Sequence, residues 1–246
     1  MTTSVTTHNP ARADILDSAT RRGEARQPGR TSRTWAFAGL GAAVACAGTI
    51  VTSSMIDVVY RKEFGGNVDG VAKALADKAP VMFAFHTFTM VGAVLLLVFA
   101  AGLVRRMRAV LPADSLAPTL AFAGLAGTAV VSVLGAGLDT EYMIPLMGQP
   151  DVVDDPSAAM FNHWIGTIPW LWVLAGLAGL ALHVTARQGG VPRWIGRVGL
   201  VLGGLTVLVG VSPAEYMSGI PAFLWLATTS IGFIVGDRQH RAAGDA

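Results

Sequence analysis

Six apolar blocks long enough to cross a bilayer, which takes about 20 residues of helix, dominate this chain of 246 residues. Backbone N–H and C=O groups must be paired internally in hydrocarbon, so these blocks should be helices, and their continuous apolar character excludes a closed barrel. Only 14% of the residues are charged, which excludes a soluble enzyme, a disordered protein or a collagen-like fibre. The blocks lie near 35–55, 81–104, 116–138, 161–185, 195–211 and 217–236. The predicted fold class is therefore all-α, a polytopic membrane bundle of six transmembrane helices.

The basic residues predict the orientation of this bundle. Fourteen of the 18 Lys and Arg residues lie before the first block, after the second or fourth, or after the last. Because cytoplasmic loops are enriched in Lys and Arg, both termini should be cytoplasmic in a multi-pass protein of the cell membrane. The same rule explains the basic balance, so we expect no nucleic-acid partner. The predicted organisation is a disordered basic cytoplasmic tail over 1–34, a six-helix transmembrane domain over 35–236 and a cytoplasmic tail over 237–246.

Local signals refine the outer loops and the fourth block. A short amphipathic helix on the membrane surface is predicted over 68–79. Its apolar face would consist of Val71, Leu75 and Ala79. The pair Asp155-Pro156 is typical of a helix N-cap followed by proline at the first helical position. Pro169 lies inside the fourth block and removes one backbone donor, so we expect a kink near Ile165.

Two stretches of the chain read alike and place polar residues at one depth. Each begins with a Met-Phe pair and a histidine, His86 or His163, and ends with a Glu-Tyr pair at Glu141 or Glu215. A duplicated helix hairpin would produce this pattern, and so would two unrelated but similar membrane hairpins. In both cases the histidines and the Glu-Tyr pairs lie at the outer ends of their helices.

The ionisable residues of that outer edge are the candidate catalytic residues. They are Glu141, Asp139, His86, His163 and Glu215. Ionisable side chains in membrane spans usually face a bundle interior or a cavity and mark function. We choose Glu141 as the general acid, because a carboxylate beside Asp139 at the membrane edge is suited to donating a proton. We expect His86 and at least one of Glu141 and Glu215 to line a common cavity on the outer side.

Each candidate also has a structural explanation. His86 can be a neutral imidazole bonded to a neighbouring helix, and His163 can belong to an aromatic belt at the membrane surface. Glu141 can lie in a solvated acidic loop. Glu215 fits a capping box that begins at Ser212, with proline at the first helical position.

The last third of the chain resembles known proteins. The run Val-Pro-Arg-Trp-Ile-Gly-Arg-Val-Gly-Leu over 191–200 is followed by Gly203, Leu224-Trp225 and Ile231-Gly232. In these residues it resembles a broad group of uncharacterised six-span bacterial membrane proteins, and this resemblance implies a fold and no activity. A weaker likeness, in size, span architecture and acidic residues at one membrane face, is to the small integral-membrane terpene cyclases. It implies a compact helical bundle in which acidic residues protonate a polyprenyl chain.

The function that we favour is that of an intramembrane enzyme acting on a lipophilic, isoprenoid-like substrate, such as an acid-initiated terpene cyclase. Glu141 or Asp139 would donate the first proton, and His86 or His163 would orient that acid or accept the last proton. Aromatic side chains would bind the substrate and attract a carbocation to their π faces. The candidate substrate-binding residues are Phe83, Phe85, Tyr142, Trp164, Trp170 and Tyr216.

Two other functions fit the same residues. In a redox protein, His86 and His163 would ligate a b-type haem or, with Glu141 and Glu215, a divalent metal. In a binding, transport or structural membrane protein, the polar residues would serve in packing. The sequence has no nucleotide-binding motif and no cysteine-rich metal pattern, so haem or metal belongs to the redox hypothesis alone. Membrane lipid is the expected partner in all three.

The predicted orientation can be tested with reporter fusions. Alkaline phosphatase, which is active only outside the cytoplasm, should be inactive when fused after Ala246, because that end carries cytoplasmic arginines. A fusion truncated after Gly66, in the first outer loop, is the control and should be active. Phosphatase activity after Ala246 would contradict the orientation.

Overall fold

The structure, a computed structural model, describes residues 33–236, which contain helices, turns and loops and no strand. Six segments of this part are long and apolar enough to cross a membrane. We call them spans 1 to 6: Thr34–Met55, Ala79–Arg108, Ala117–Gly148, Asp155–Arg187, Arg193–Gly210 and Glu215–Val235. The predicted all-α bundle of six membrane helices is confirmed. The predicted tails, 1–34 and 237–246, fall outside the described residues except for the two residues 33 and 34.

Spans 1, 2 and 3 are single α-helices, whereas the other three are composite. Span 4 consists of the α-helices Asp155–Thr167 and Ala175–Arg187 with a 3₁₀ turn at Ile168–Trp170 between them. Span 5 joins the α-helices Arg193–Val198 and Gly204–Gly210 through a π-helical turn at Gly199–Gly203. Span 6 begins with a 3₁₀ turn at Glu215–Met217, continues as the α-helix Gly219–Ile231 and ends within a π-helical turn at Gly232–Gly236. The loops add 3₁₀ turns at Val58–Tyr60, Lys62–Phe64 and Pro150–Val152 and a surface helix at Val71–Ala76.

The two ends of the bundle differ in charge. The end that carries Arg33, Arg105 and Arg187 is called here the arginine-rich face, and the opposite end the arginine-poor face. On the arginine-rich face the Arg33 guanidinium donates a hydrogen bond to the Ile234 carbonyl, with Nη1 and O 2.9 Å apart. This bond ties the start of span 1 to the end of span 6, so the described chain begins and ends on the same face.

Span 3 extends further than the apolar block from which it was predicted. The block ends near 138, which placed Asp139 and Glu141 in a loop, but the helix continues to Gly148. At 1.5 Å per residue its 32 residues measure about 48 Å, well beyond the roughly 30 Å of hydrocarbon. The extension packs on the first helix of span 4 and on the surface helix, which give it partners outside the lipid. The end of the apolar block therefore marks the membrane edge and not the end of the helix.

Pro169 interrupts span 4. Because proline has no amide hydrogen, the Ile165 carbonyl loses its usual partner four residues later. The Ser53 hydroxyl of span 1 donates to that carbonyl instead, with Oγ and O 3.0 Å apart. The freed carbonyl lies where the sequence predicts a kink. The first α-helix ends only at Thr167, however, and the second begins at Ala175. Span 4 is therefore interrupted and not simply kinked.

Neighbouring spans enclose this interruption. The Ser218 hydroxyl of span 6 donates to the Trp170 carbonyl at 2.6 Å. A side chain at Gly219 would lie 2.7 Å from the Pro169 carbonyl oxygen, and one at Gly124 of span 3 would collide with a carbonyl of the interrupted segment. Irregular backbone at membrane depth is tolerated only where protein or a water-filled cavity surrounds it. Here protein does so on three sides, from spans 1, 3 and 6.

The N-cap of span 4 lies one residue earlier than predicted. Asp154, not Asp155, caps the helix: its carboxylate accepts hydrogen bonds from the Ser157 amide at 2.9 Å and hydroxyl at 2.8 Å. These bonds hold the pKa of Asp154 below its usual range. The Asp155 carboxylate instead accepts from the Gly70 and Ala72 amides, both at 2.8 Å, at the start of the surface helix. That helix is shorter than the predicted 68–79, and its apolar face packs into the protein.

The interior consists of two apolar cores with a polar layer between them. The inner core, towards the arginine-rich face, includes Leu96, Phe99, Leu103 and Trp225. The outer core, towards the arginine-poor face, includes Met82, Phe85, Phe161 and Ile165. Along spans 1 to 3 the hydroxyl-bearing residues between the cores form what we call the hydroxyl layer: Thr49, Thr52, Ser53, Thr89 and Ser132. The interruption of span 4 around Pro169 lies at the same level as this layer.

Removal of the Ser53 hydroxyl should destabilise the bundle. Ser53→Ala leaves the Ile165 carbonyl without its partner inside the protein, which should lower the free energy of unfolding by about 1–3 kcal/mol. Ser54→Ala is the matched control, because Ser54 is exposed and bonds only the Ile50 carbonyl of its own helix. Unfolding in mixed detergent and dodecyl sulfate measures both, and equal losses would show that Ser53 does not support the interruption.

Candidate functional site

His86 of span 2 and Asp139 of span 3 form an acid–base pair in which the carboxylate is buried. The Asp139 side chain is completely buried, and its Oδ2 lies 3.7 Å from Nδ1 of His86, whose side chain is 26% exposed. A charged carboxylate at this depth is costly unless it is paired and hydrogen-bonded, and 3.7 Å is too long for a hydrogen bond. A rotation of either side chain would bring the two atoms within the distance at which a proton can pass between them.

The Ala136 carbonyl fixes the orientation of the His86 ring. Nδ1 lies 3.0 Å from this carbonyl oxygen and 3.2 Å from the Thr140 hydroxyl, which itself donates to the same carbonyl. Because a carbonyl can only accept, we assign the ring proton of neutral His86 to Nδ1. Nε2 is then the atom that takes up a further proton, and Nδ1 is the atom that faces Asp139.

Helix geometry places the pair near one edge of the membrane. His86 lies 19 residues before Arg105 in the continuous helix of span 2, which corresponds to about 28 Å at 1.5 Å per residue. That distance is close to the thickness of the hydrocarbon core. With Arg105 at the arginine-rich surface, His86 and Asp139 lie at the arginine-poor edge of the hydrocarbon.

Asp139 and Trp164 present unpaired polar atoms at one level of the interface between spans 3 and 4. Both Asp139 carboxylate oxygens and the Trp164 Nε1 are buried without a hydrogen-bond partner in residues 33–236. Gly135 meets Ile168 on one side of this level, and Tyr142 stacks on Phe161 on the other, with ring centroids 4.6 Å apart. By helical spacing, Asp139 and Trp164 lie between these two contacts. Buried polar atoms without partners are rare in native proteins and are often found at functional sites.

His163 belongs to a separate cluster on the arginine-poor surface. Its Nδ1 lies 3.3 Å from the Tyr60 hydroxyl, and the two rings meet edge to face. The Tyr216 hydroxyl lies 3.4 Å from the Thr167 hydroxyl, one turn further along span 4. Partial burial, together with the nearby Tyr216, raises the pKa of Tyr60 above its usual value. His163 is exposed, so this cluster is an interfacial contact of the loop with spans 4 and 6.

Glu141 and Glu215 form no hydrogen bond or ion pair with either histidine in the described residues. Glu141 is exposed, since two residues of helix place it about 200° around span 3 from the buried Asp139. Glu215 is exposed in the first turn of span 6, and the expected capping box is not formed. The Ser212 hydroxyl instead donates to the Val209 carbonyl and accepts from the Ala214 amide. Of the predicted catalytic residues, the structure brings together His86 and Asp139.

The predicted substrate-binding aromatics do not share one environment. Phe85 is buried in the outer core, and Tyr142 and Trp164 pack against that core. Phe83 is 58% exposed on the outside of span 2. Trp170 lies half-buried in the interruption, and Tyr216 is exposed.

A small cavity opens beside the interruption of span 4, at residues that sequence reasoning did not select. It measures about 20 Å³, enough for one water molecule. Its lining includes the polar side chains of the hydroxyl layer Thr49, Thr89 and Ser132, with Cys46 and Pro169 beside them. Pro169, an interior proline in an apolar block, was the signal available in the sequence.

The redox hypothesis needs metal ligands that converge. Within residues 33–236, no group of three or more His, Cys, Asp or Glu side chains lies close enough to hold a metal ion. His86 faces span 3, whereas His163 faces Tyr60 of the first loop. These contacts do not provide the four-residue metal site proposed from the sequence.

The class of protein is clear from the fold: this is a multi-pass helical membrane protein whose apolar residues face outward along the spans. The chain matches no family model, no curated protein and no solved structure, so neither resemblance seen in the sequence gains support. Arguments about function therefore rest on the geometry of the His86–Asp139 pair and its surroundings.

Neutralising Asp139 should not weaken the fold. Asp139→Asn removes an ionisable group that is buried without a hydrogen-bond partner, so stability should stay the same or rise by about 0.5–2 kcal/mol. Glu141→Gln, exposed on the same helix, is the control and should change little. Thermal unfolding in detergent, followed by tryptophan fluorescence, measures both. A loss of more than about 1 kcal/mol in Asp139→Asn alone would identify Asp139 as a structural residue.

Proposed function

We propose that the protein is an intramembrane acid–base enzyme that acts on a lipophilic substrate through Asp139 and His86. The observation that carries the proposal is Asp139, a completely buried carboxyl at the membrane edge whose oxygens have no hydrogen-bond partner in the described chain. A positioned acid needs such a free oxygen to reach its substrate. Asp139 thus takes the role for which the sequence favoured Glu141.

In the proposed reaction Asp139 gives its proton to a double bond of the substrate. His86, protonated at Nε2 from the arginine-poor side, then passes its Nδ1 proton to Asp139 Oδ2, which lies 3.7 Å away and needs a small side-chain rotation. The cyclised cation then loses one proton to the neutral His86 as it forms the product double bond, which restores the starting protonation of both residues. The proton added and the proton lost balance, so the reaction is an isomerisation that needs no co-reactant.

The surroundings of Asp139 favour an apolar, cation-forming substrate. Phe85, Trp164 and the stacked pair Tyr142–Phe161 belong to the outer core at or next to its level. Aromatic faces attract a developing carbocation by about 0.5–2 kcal/mol each, and more where water is excluded. The outer surface of span 3 is apolar and exposed on the lipid side of Asp139, as at Val133 and Leu134, so an isoprenoid-like molecule can approach through the lipid.

Proton-coupled transport is a second candidate, and the interruption of span 4 favours it. Transporter binding sites are typically formed by discontinuous membrane helices. The hydroxyl layer and its water-sized cavity lie next to this interruption. They place polar groups between the level of His86 and Asp139 and the inner core. In proton-coupled transport, His86 and Asp139 would take up a proton from the arginine-poor face and release it through the hydroxyl layer towards the arginine-rich face.

A deuterium experiment tests the enzyme proposal. Purified protein is placed in liposomes that contain squalene, a linear polyene, in D₂O, and the products are analysed by mass spectrometry. Acid-initiated cyclisation should place one solvent deuterium in each product molecule. Asp139→Asn should reduce the rate about 10²–10⁴-fold, because it removes the positioned acid. Glu141→Gln, the matched control on the exposed side of span 3, should keep the wild-type rate.

Other outcomes separate the alternatives. Loss of product in Glu141→Gln but not in Asp139→Asn would restore Glu141 as the acid. If no product forms but a pH-sensitive dye inside the liposomes reports proton flux that Asp139→Asn abolishes, the transport function is correct. A readout independent of substrate is labelling by dicyclohexylcarbodiimide, a lipophilic reagent for protonated carboxyls, which should modify Asp139 and spare Glu141.

A further inference from the structure

A basic pocket lies on the arginine-rich face, where span 4 ends and span 5 begins. It measures about 300 Å³, and its lining consists of His183, Ala186, Arg187, Arg193 and Arg197. No carboxylate lines it, and none in residues 33–236 forms an ion pair with the three arginines. The pocket therefore concentrates positive charge at the end of the membrane spans.

The turn between the two spans builds this pocket. Gly189 has a φ of +80°, a left-handed conformation that favours glycine, and allows the chain to reverse sharply after span 4. Gly196 lets span 5 approach span 4, since a side chain there would collide with Ala186. Nδ1 of His183 donates to the Gly196 carbonyl at 3.2 Å, which leaves Nε2 as the other polar atom of the ring.

The chemistry of the pocket matches a phosphate group. Guanidinium groups bind phosphate through paired, charge-assisted hydrogen bonds, and three of them surround one space here. An arginine that only sets membrane orientation needs no such convergence, since any position in the loop serves that purpose.

The apolar surface beside the pocket identifies the source of the phosphate. Trp194, next to Arg193, is 43% exposed, a side chain suited to the headgroup region. Further along the same span Leu200 and Val201 are 45% and 63% exposed, so acyl chains can lie there. We infer that this pocket binds the headgroup of an anionic phospholipid of the arginine-rich leaflet, with its phosphate among Arg187, Arg193 and Arg197.

Lipid titration of the full-length protein tests the inference. The delipidated protein in detergent is titrated with phosphatidylglycerol, and the Kd is measured by native mass spectrometry. Arg193→Gln/Arg197→Gln should weaken binding by about 25-fold, at roughly fivefold per arginine. Arg193→Lys/Arg197→Lys keeps the charge and should weaken binding by less than the Gln pair, which also guards against a folding defect. Arg105→Gln/Arg108→Gln removes the same charge elsewhere on this face and should change the Kd less than about twofold.

Three results would overturn the inference. Equal losses in the two Gln pairs would show that the lipid responds only to the general charge of the face. Equal affinity for phosphatidylcholine would show that the anionic headgroup is not recognised. Displacement of phosphatidylglycerol by inorganic phosphate at millimolar concentration, with no dependence on acyl chains, would identify the pocket as a site for a soluble anion.

Discussion

The pairing of the backbone carbonyls around Pro169 is the interaction on which the arrangement of the spans depends. A helix in lipid cannot leave such groups unpaired, because water is absent there. Span 1 provides the Ser53 hydroxyl for the Ile165 carbonyl, and span 6 provides the Ser218 hydroxyl for the Trp170 carbonyl. Two hydrogen bonds thus fix the height of two spans against the interruption. A shift of either span by one turn, about 5.4 Å, would break its bond.

The same interruption divides the interior and gives the acid–base pair its setting. A continuous span 4 would favour one apolar core, whereas here a hydroxyl layer separates an inner from an outer core. Asp139 lies on the outer side of this layer, among aromatic residues, and His86 reaches it from span 2. Apart from His86 at 3.7 Å, the carboxylate oxygens of Asp139 have no polar partner in residues 33–236. The acid–base pair thus lies next to the outer core and close to the hydroxyl layer.

The spans could be predicted from the sequence, because lipid constrains every residue of a crossing helix. Helix ends above the membrane escape that constraint, and there the predictions were wrong. The end of the apolar block placed 139–160 in a loop, where neither Asp139 nor Glu141 could be assigned to a buried or an exposed helix face. The helix extends to Gly148 because the first helix of span 4 and the surface helix pack against it, and only then does Asp139 turn inward and Glu141 outward.

The predicted N-cap of span 4 was wrong for a similar reason. Asp154 and Asp155 are both good capping residues, and local sequence cannot say which of them caps its own helix and which a helix 85 residues away. The pairing of His86 with Asp139 could not be predicted either, although both residues were candidates, because it depends on the register between spans 2 and 3. Side-chain packing sets that register, and hydropathy does not record it.

The depth of the acid–base pair separates the two proposed functions in energetic terms. A full membrane crossing changes the energy of a proton by about 2.3 kcal/mol per 100 mV. His86 and Asp139 lie at the arginine-poor edge, so a proton that enters from that face and returns to it crosses almost none of this potential. The enzyme should therefore be insensitive to membrane potential. A transporter must instead carry the proton past the hydroxyl layer and through most of the field, so its rate should follow the potential.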